Sequence, residues 1–286
     1  LIYSIALIHD KLQASIFYLL KGNFMLGNVK GKVTLITGAA SGIGKHMAEK
    51  FAEYGSAIVI ADLNLDAAQA VADAIKAQYK VETLAVAMDV TNEEQVNAGV
   101  KATVAKFNKL DVLISNAGIQ TIAPIVDFDA TAWKRLIDIH LHGTFLVAKA
   151  SMQQMIAQKT GGRVLVTGSI HSIEASKNKA AYVAAKHAQL GFVRSIAEEG
   201  APHNISANFL CPGFVRTPLV EKQIPEQAKT LGISEEEVIK NVMLGDTVDG
   251  EFTTLDDVSN VALFLAGFET NALTGQHVLI SHGIGM

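Results

Sequence analysis

The chain has 286 residues, of which 49% are hydrophobic and 18% are charged, a balance that excludes a disordered chain and fits one globular domain with a large core. The net charge is −4, and lysines and arginines occur singly, which argues against a nucleic-acid or an anionic membrane surface as a partner. The single cysteine, Cys211, excludes an intrachain disulfide and a cysteine-rich metal site, so we expect no metal and a cytoplasmic location.

The first 24 residues, LIYSIALIHDKLQASIFYLLKGNF, are apolar in patches that His9, Asp10 and Lys11 interrupt. Neither patch reaches the ~20 apolar residues of a membrane-spanning helix, and the stretch lacks the pattern of a secretory signal. Met25 stands directly before the first patterned segment. We therefore expect residues 1–24 to be an extension outside the fold and residues 25–286 to form one domain.

From residue 33 onward, short β-branched runs alternate with amphipathic stretches of helical length. This alternation predicts βαβ units and a parallel sheet that helices cover on both faces. The predicted strands are Val33 to Thr37, Ala57 to Ala61, Leu84 to Met88, Val112 to Ser115, Val164 to Thr167, Ile205 to Leu210 and His277 to Ile280. The predicted helices are Ile43 to Tyr54, Asp66 to Gln78, Glu93 to Phe107, Trp133 to Ala157 and Ala180 to Glu199.

One connection is unusually long, because about forty residues separate Cys211 from Phe252. Loops of that length in compact domains are usually functional or contain helices of their own. The segments PEQAKT and SEEEVIKNVM both have helical composition. We expect residues from about 213 to 252 to form a helical lid over a substrate.

The first predicted strand leads into the glycine-rich stretch TGAASGIG, which precedes the first helix. Bare backbone there lets a pyrophosphate approach the amides of a helix N-terminus, although a tight turn without a ligand uses glycine as well. The following strand ends in Asp62, 18 residues beyond Gly44, where a carboxylate accepts hydrogen bonds from a ribose and repels a 2′-phosphate. The sequence therefore predicts that NAD binds, with contacts from Gly38, Ser41, Gly42, Ile43, Gly44 and Asp62.

Tyr182 and Lys186 stand four residues apart in a predicted helix, so the ammonium can lie beside the phenol. Oxidation of an alcohol needs a base, and a free tyrosine, with a pKa of about 10, is mostly protonated at neutral pH. A unit charge at ~4 Å supplies about 4 kcal/mol at an effective dielectric constant near 20, enough to bring that pKa close to neutrality. We expect Tyr182 to be the general acid and base, Lys186 to lower its pKa, and Ser169 to bind the reacting oxygen. The alternative is an exposed pair of little energetic consequence.

Together, TGAASGIG, NAG at Asn116 to Gly118, Ser169, YVAAK at Tyr182 to Lys186 and PGFVRT at Pro212 to Thr217 resemble the motif set of the short-chain dehydrogenase/reductases. The resemblance extends from about residue 30 to the C-terminus. It implies a Rossmann fold of seven parallel strands in one domain, a homotetramer, and hydride transfer to or from a nicotinamide. It also implies cofactor contacts from Asp89, Val90, Asn116, Ala117, Gly118, Tyr182, Lys186, Pro212, Val215 and Thr217.

One position departs from that motif set. Where the family usually has an asparagine that organises a proton relay, the stretch IDIHLHGTFL has His140. An imidazole can donate and accept hydrogen bonds, so His140 could replace the asparagine in the relay. A buried core histidine with satisfied hydrogen bonds is the alternative.

The residues near this predicted catalytic centre include polar groups that suit a small anion: Gln120, His171, Lys179 and, in the expected lid, Gln223. Taken singly, each also fits a solvated polar residue. Charge-assisted hydrogen bonds contribute about 1.5 to 3 kcal/mol each, so two or three on one carboxylate could hold a four-carbon hydroxy acid. The surrounding stretches CPGFVRTPLVEKQIPEQAK, GIQ and HSIEASKNKAAYVAAKH resemble a branch of the family that acts on such an acid. That resemblance implies substrate contacts from Gln120, Ser169, His171, Lys179, Tyr182 and Gln223.

Two other functions stay open from the sequence. A relative that reduces a bulky acyl thioester commonly uses NADPH, which Asp62 disfavours. A non-enzymatic regulator that senses the dinucleotide would typically have lost Ser169 or Tyr182, and both residues are present.

Overall fold

The computed structural model describes residues 28–286, so the predicted extension and the expected start at Met25 lie outside the described residues. Seven strands form one sheet in the order β3-β2-β1-β4-β5-β6-β7, and every neighbouring pair is parallel. The predicted doubly wound α/β fold of Rossmann type is confirmed. The strands are β1 (Val33–Thr37), β2 (Ala57–Asp62), β3 (Thr83–Ala87), β4 (Val112–Ser115), β5 (Gly162–Thr167), β6 (Ile205–Pro212) and β7 (His277–Ile280).

Nine α-helices connect or follow the strands within residues 28–286, and none of them is long and apolar enough to cross a membrane. They are α1 (Gly42–Glu53), α2 (Leu65–Tyr79), α3 (Glu93–Phe107), α4 (Ala130–Ile137), α5 (Gly143–Gln158), α6 (Ala180–Gly200), α7 (Pro218–Leu231), α8 (Glu235–Glu237) and α9 (Leu255–Gly267).

The central strands are buried on both faces, since helices cover both sides of a parallel sheet. One face packs against α3, α5 and α6 through residues such as Val100, Leu146 and Val193. The other packs against α1, α2 and α9 through residues such as Phe51 and Leu263. The central strands therefore have no side chains free to reach a ligand, and polar groups that act chemically must come from the strand ends and the loops.

Strand β1 pairs with β2 on one side and with β4 on the other, so the chain changes direction across the sheet at this point. In open α/β sheets, ligands bind in the crevice beyond the carboxyl ends of the strands at such a switch. Gly38 follows β1 and Asn116 follows β4, and both lie at this crevice.

The predicted single helix from Trp133 to Ala157 is wrong, because two α-helices and an intervening π-helical turn, Asp138–His142, cover this stretch. The amide of Gly143 donates to the carbonyl of Asp138, five residues back. Val90 packs against Gly143, where a Cβ would lie 2.7 Å from the Val90 Cγ2. The extra residue in the turn changes the direction of the side chains that face the sheet.

Residues 213–252 contain α7, α8 and a second π-helical turn, Val238–Met243, which confirms the helices predicted there. Ile224, Val238 and Met243 form a small apolar cluster separate from the two clusters on the sheet. Whether the segment acts as a lid stays a prediction.

Candidate active site

Two adjoining cavities lie at the carboxyl edge of the sheet. The larger, of about 400 Å³, is lined by the glycine turn, the ends of β2 and β4, and α6. The smaller, of about 90 Å³, lies between the 169–171 segment, Lys179 and α7. Ile43, Gly168, Tyr182, Thr217 and Leu219 line both spaces, so the cavities meet at Tyr182. Within residues 28–286, no group of three or more His, Cys, Asp and Glu side chains is placed to hold a metal ion.

Most residues predicted to bind the cofactor line the larger cavity, with three exceptions. Pro212 and Val215 line the smaller cavity instead. Gly44 lines neither, because it packs against the neighbouring turn, and a Cβ there would lie 2.5 Å from Asn116 Nδ2. The predicted residues that line the larger cavity are Gly38, Ser41, Gly42, Ile43, Asp62, Asp89, Val90, Asn116, Ala117, Gly118, Tyr182, Lys186 and Thr217.

The glycine turn has the shape that a bound pyrophosphate needs. Gly38 and Gly42 have φ angles of +63° and +56°, and a Cβ on Gly38 would lie 2.9 Å from the Ala117 Cα. Ser41 stands at the N-terminus of α1, but its hydroxyl makes no capping bond to the helix. The first amides of α1 are therefore available to an anion in the larger cavity, which fits a dinucleotide.

Asp62 holds a fixed carboxylate at the same cavity. It accepts hydrogen bonds from the amides of Ala40 at 3.0 Å and Asn64 at 3.1 Å. The carboxylate retains capacity to accept bonds from ribose hydroxyls, since each oxygen has two lone pairs. A negatively charged phosphate at the same place would be repelled.

Ser169, Tyr182 and Lys186 meet where the cavities join. Ser169 precedes the 3₁₀ turn Ile170–Ser172, and its hydroxyl accepts from the amide of His171 at 3.2 Å. Lys186 is buried, its ammonium donates to the carbonyl of Thr167 at 2.7 Å, and it lies 5.5 Å from the centroid of the Tyr182 ring. The structure thus brings together the three predicted catalytic groups at the boundary of the two cavities.

The expectation that Lys186 lowers the pKa of Tyr182 is wrong for the groups of this chain alone. Burial raises the pKa of Tyr182 to about 12, an effect that the Ser169 hydroxyl only partly opposes. Burial also lowers the pKa of Lys186 to about 7. Loss of hydration disfavours the charged form of both groups, so each is driven toward neutrality.

His140 lies in the first π-helical turn and is only 2% exposed. Its ring meets the Tyr182 ring edge-on at 5.3 Å, and its Nε2 lies 2.8 Å from the Ile119 carbonyl oxygen and 3.1 Å from the Ile119 amide nitrogen. Burial, with the nearby charge of Lys186, lowers its pKa to about 3, so the ring is neutral at physiological pH. His140 Nδ1 is buried and has no hydrogen-bond partner among residues 28–286.

The six residues predicted to bind substrate all line the smaller cavity: Gln120, Ser169, His171, Lys179, Tyr182 and Gln223. Gln223 is contributed by α7, so the helical segment forms one wall of this cavity.

Lys179 is the unusual member of this set. It is 2% exposed, and no ion pair joins its ammonium to any described residue. The ammonium lies 4.8 Å from the centroid of the Phe214 ring, at a distance suited to a cation–π contact. Burial lowers the pKa of Lys179 to about 8.

His171 lies against the same groups, 6.3 Å from the Tyr182 ring and 6.0 Å from the Phe214 ring between centroids. Both of its ring nitrogens are buried without a hydrogen-bond partner in the described part of the chain. Burial lowers its pKa to about 3, with a further contribution from the charge of Lys179. A neutral imidazole beside a buried ammonium is free to donate a hydrogen bond to an anion.

Phe214 is the main site residue that sequence reasoning did not assign. It lies within the quoted PGFVRT stretch, but a single aromatic residue in a loop has no pattern that distinguishes it from an ordinary core residue. Its contacts with Lys179 and His171 emerge only from the tertiary structure.

The chain is similar to known proteins over most of its length. The family model for short chain dehydrogenase matches residues 32–228. The chain is 38% identical over 254 residues to D-beta-hydroxybutyrate dehydrogenase of Rhizobium meliloti, covering 88% of this chain and 98% of that protein. It is 34% identical over 259 residues to 3-oxoacyl-(acyl-carrier-protein) reductase FabG of Thermotoga maritima, covering 90% and 98%. A solved structure of NAD⁺-bound xylitol dehydrogenase superposes with a TM-score of 0.84 at 32% identity, covering 89% of this chain and 99% of that chain.

Replacement of Gly118 by alanine should displace the His140 ring, because the added Cβ would lie 2.5 Å from its Cε1. We expect the free energy of unfolding, measured by urea denaturation, to fall by about 1 to 3 kcal/mol. The matched control is Gly191→Ala in α6, where a Cβ meets nothing within 4 Å. Helix propensity should make that variant more stable by roughly 0.5 to 1 kcal/mol. Equal effects of the two changes would contradict the described position of His140.

Replacement of Lys179 by methionine should stabilise the ligand-free protein at pH 7. The unfolded lysine stays charged up to pH ~10, whereas in the folded protein its pKa is about 8, so folding at pH 7 must bury a charge. The gain in the free energy of unfolding should be on the order of 2 kcal/mol at pH 7. It should shrink as the pH rises from 8 toward 10, because the folded wild-type protein has then released that proton. The control Lys177→Met, at an exposed neighbour, should change stability by less than about 0.5 kcal/mol. A less stable Lys179→Met variant would show that the ammonium has a stabilising partner.

Proposed function

The chain belongs to the short-chain dehydrogenase family, and from that premise we propose that it interconverts D-3-hydroxybutyrate and acetoacetate with NAD as the hydride carrier. The family consists of oxidoreductases that act on alcohol groups. The observation that carries the proposal is the buried, unpaired ammonium of Lys179, in the same small cavity as Ser169 and Tyr182.

A substrate carboxylate would relieve the burial of that ammonium. An uncompensated buried charge destabilises a protein, and a carboxylate that enters the cavity forms an ion pair where hydration is already lost. Gln120, His171 and Gln223 lie around the same cavity and can donate to the remaining carboxylate lone pairs. An acid of about four carbons then has its 3-hydroxyl beside Ser169 and Tyr182.

The relative from Rhizobium meliloti supports the same substrate, since that protein is a D-beta-hydroxybutyrate dehydrogenase. The stretches CPGFVRTPLVEKQIPEQAK and HSIEASKNKAAYVAAKH closely resemble that group of enzymes. The assignment of the D enantiomer depends on this resemblance.

We propose that the glycine turn and the amides of α1 hold the pyrophosphate of NAD, and that Asp62 binds the adenosine ribose. The fixed carboxylate favours NAD over NADP. Lys186 lines the same cavity and can bind the nicotinamide ribose. The bound dinucleotide would supply the hydride acceptor and, in its oxidised form, a positive charge near the phenol.

In the oxidation, the ionised form of Tyr182, which has released its phenolic proton to solvent, accepts the proton of the substrate hydroxyl at Oη while the C3–H bond breaks and its electron pair leaves as hydride. The positive charge of the oxidised dinucleotide would favour that ionised form. Ser169 donates a hydrogen bond to the reacting oxygen and aligns it. In the reverse direction, the neutral phenol donates its proton to the oxygen of acetoacetate as hydride arrives at C3. The raised pKa of Tyr182 keeps this proton in place before the reduction.

A second candidate is the reduction of a 3-oxoacyl thioester, as in the FabG relative. Such a substrate shares the hydride chemistry but has no carboxylate to pair with Lys179. The small volume of the cavity around Lys179, about 90 Å³, also favours the smaller acid. The homotetramer and the cytoplasmic location stay predictions, and a dinucleotide-sensing role without catalysis stays the alternative.

The direct test is the absorbance of NADH when NAD⁺ and D-3-hydroxybutyrate are added. We expect turnover with the D acid, little with the L acid, and slower turnover with NADP⁺. Tyr182→Phe should abolish turnover while NADH binding, measured by fluorescence, stays nearly unchanged, because only the proton carrier is removed. Tyr79→Phe, at a tyrosine outside both cavities, is the matched control. Activity in Tyr182→Phe, or activity only with acyl thioesters, would refute the proposal.

The pH dependence should report the ionisation of Lys179. Its ammonium is charged below a pKa of about 8, so kcat/KM for hydroxybutyrate should fall above that pH while kcat changes less. Lys179→Met should lower kcat/KM about tenfold or more at pH 7 and remove this dependence. Lys177→Met should retain both the value and the profile. An unchanged profile in Lys179→Met would exclude Lys179 from carboxylate binding.

A further inference from the structure

Gln189 lies on the same side of α6 as the catalytic pair, since Tyr182, Lys186 and Gln189 follow the helical spacing of four and three residues. It is 1% exposed. Its Nε2 donates to the carbonyl of His140 at 2.7 Å and to the hydroxyl of Thr144 at 2.7 Å. The Thr144 hydroxyl lies 3.1 Å from that of Ser115 at the end of β4. One buried amide therefore joins α6, the π-helical turn and the sheet.

This arrangement is poorly explained as core packing. The Oε1 of Gln189 is buried and has no hydrogen-bond partner in the described chain. A buried amide that is only half satisfied is destabilising, and an apolar side chain of similar size would fill the space without that penalty. What the glutamine provides, and an apolar residue cannot, is a donor for the carbonyl of His140.

The contacts of His140 lead from Gln189 to both cavities. The ring lies edge-on against Tyr182, and its Nε2 contacts the backbone of Ile119, the residue directly before Gln120. Gln120 lines the substrate cavity. His140 lies within the π-helical turn, and the hydrogen bond from Gln189 holds that turn at the carbonyl of His140.

We propose that Gln189 is a positioning residue for the reaction, which holds the π-helical turn so that the His140 ring stays between Tyr182 and the Ile119–Gln120 backbone. This inference rests on the proposed function, because the first experiment below measures turnover of the proposed substrate. Gln189 touches neither cavity in this role and acts only through His140.

The test compares Gln189→Met with Thr144→Val. Each change removes two hydrogen bonds from the same buried network, but only the first removes the bond to His140. We expect kcat to fall about tenfold in Gln189→Met and less than about twofold in Thr144→Val, with NADH affinity unchanged in both. Gln189→Asn keeps the amide but shortens its reach, and it replaces the methionine variant if that variant fails to fold. Equal kcat values in the two single variants would overturn the proposal.

A double-variant cycle identifies the route of the effect. In a His140→Ala background, Gln189→Met should have little further effect on kcat, because the ring through which it acts is gone. Fully additive losses would mean that Gln189 acts on folding or on α6 instead, and would overturn the proposal.

A measurement made without substrate tests the role of Gln189 independently of the proposed function. The ¹⁵N signals of the His140 ring, assigned by their loss in His140→Ala, should report one neutral tautomer in the wild-type protein and in Thr144→Val. Gln189→Met should broaden them or shift the tautomer balance. Unchanged signals would overturn the inference even if hydroxybutyrate is oxidised. Changed signals in a protein that does not oxidise hydroxybutyrate would support the placement of His140 and refute only the proposed substrate.

Discussion

Loss of hydration is the constraint on which the whole site depends. Lys179, Lys186 and His140 are almost fully buried, and burial lowers the pKa of each, which favours the neutral form. Tyr182 is affected in the opposite sense for the same reason, because a phenol is neutral when protonated. Charges brought by ligands are therefore felt strongly here, since little water remains to screen them. The burial of these ionisable groups is unfavourable, and a bound anion or a bound cation can each offset part of that cost.

The fold buries these groups at one edge of the sheet rather than in its interior. The parallel sheet fills its interior with apolar side chains and leaves chemistry to the carboxyl ends of β1, β4, β5 and β6. Asn116 links the ends of β1 and β4. Its backbone amide donates to the hydroxyl of Thr37, and its side-chain amide donates to the carbonyl of Thr37. Helix α6 then crosses the edge and presents Tyr182 to both cavities and Lys186 to the larger one. Rigid elements thus fix groups whose relative position decides the chemistry.

Much of this could be predicted from the sequence. The alternation of strand and helix predicted the seven parallel strands, and residues 120 to 223 contributed all six expected groups to one cavity. Three features could not be predicted from local patterns of the sequence. A π-helical turn adds one residue to a helix without any change of composition, so the break at Asp138–His142 left no signal. The direction of the Tyr182 pKa depends on the depth of burial, and the close packing of Gly44 against Asn116 depends on how two loops meet. Both are properties of tertiary packing, which a local pattern does not contain.

The separate apolar cluster of Ile224, Val238 and Met243 has an implication for how specificity can change. Ile224 of α7 packs against Val238 and Met243 of the second π-helical turn, apart from the side chains that cover the sheet. A change within this cluster can therefore move α7 without repacking the sheet. Gln223 is the one expected substrate group that lies in α7, so a change in this helix alters one wall of the smaller cavity and leaves Gln120, His171 and Lys179 in place.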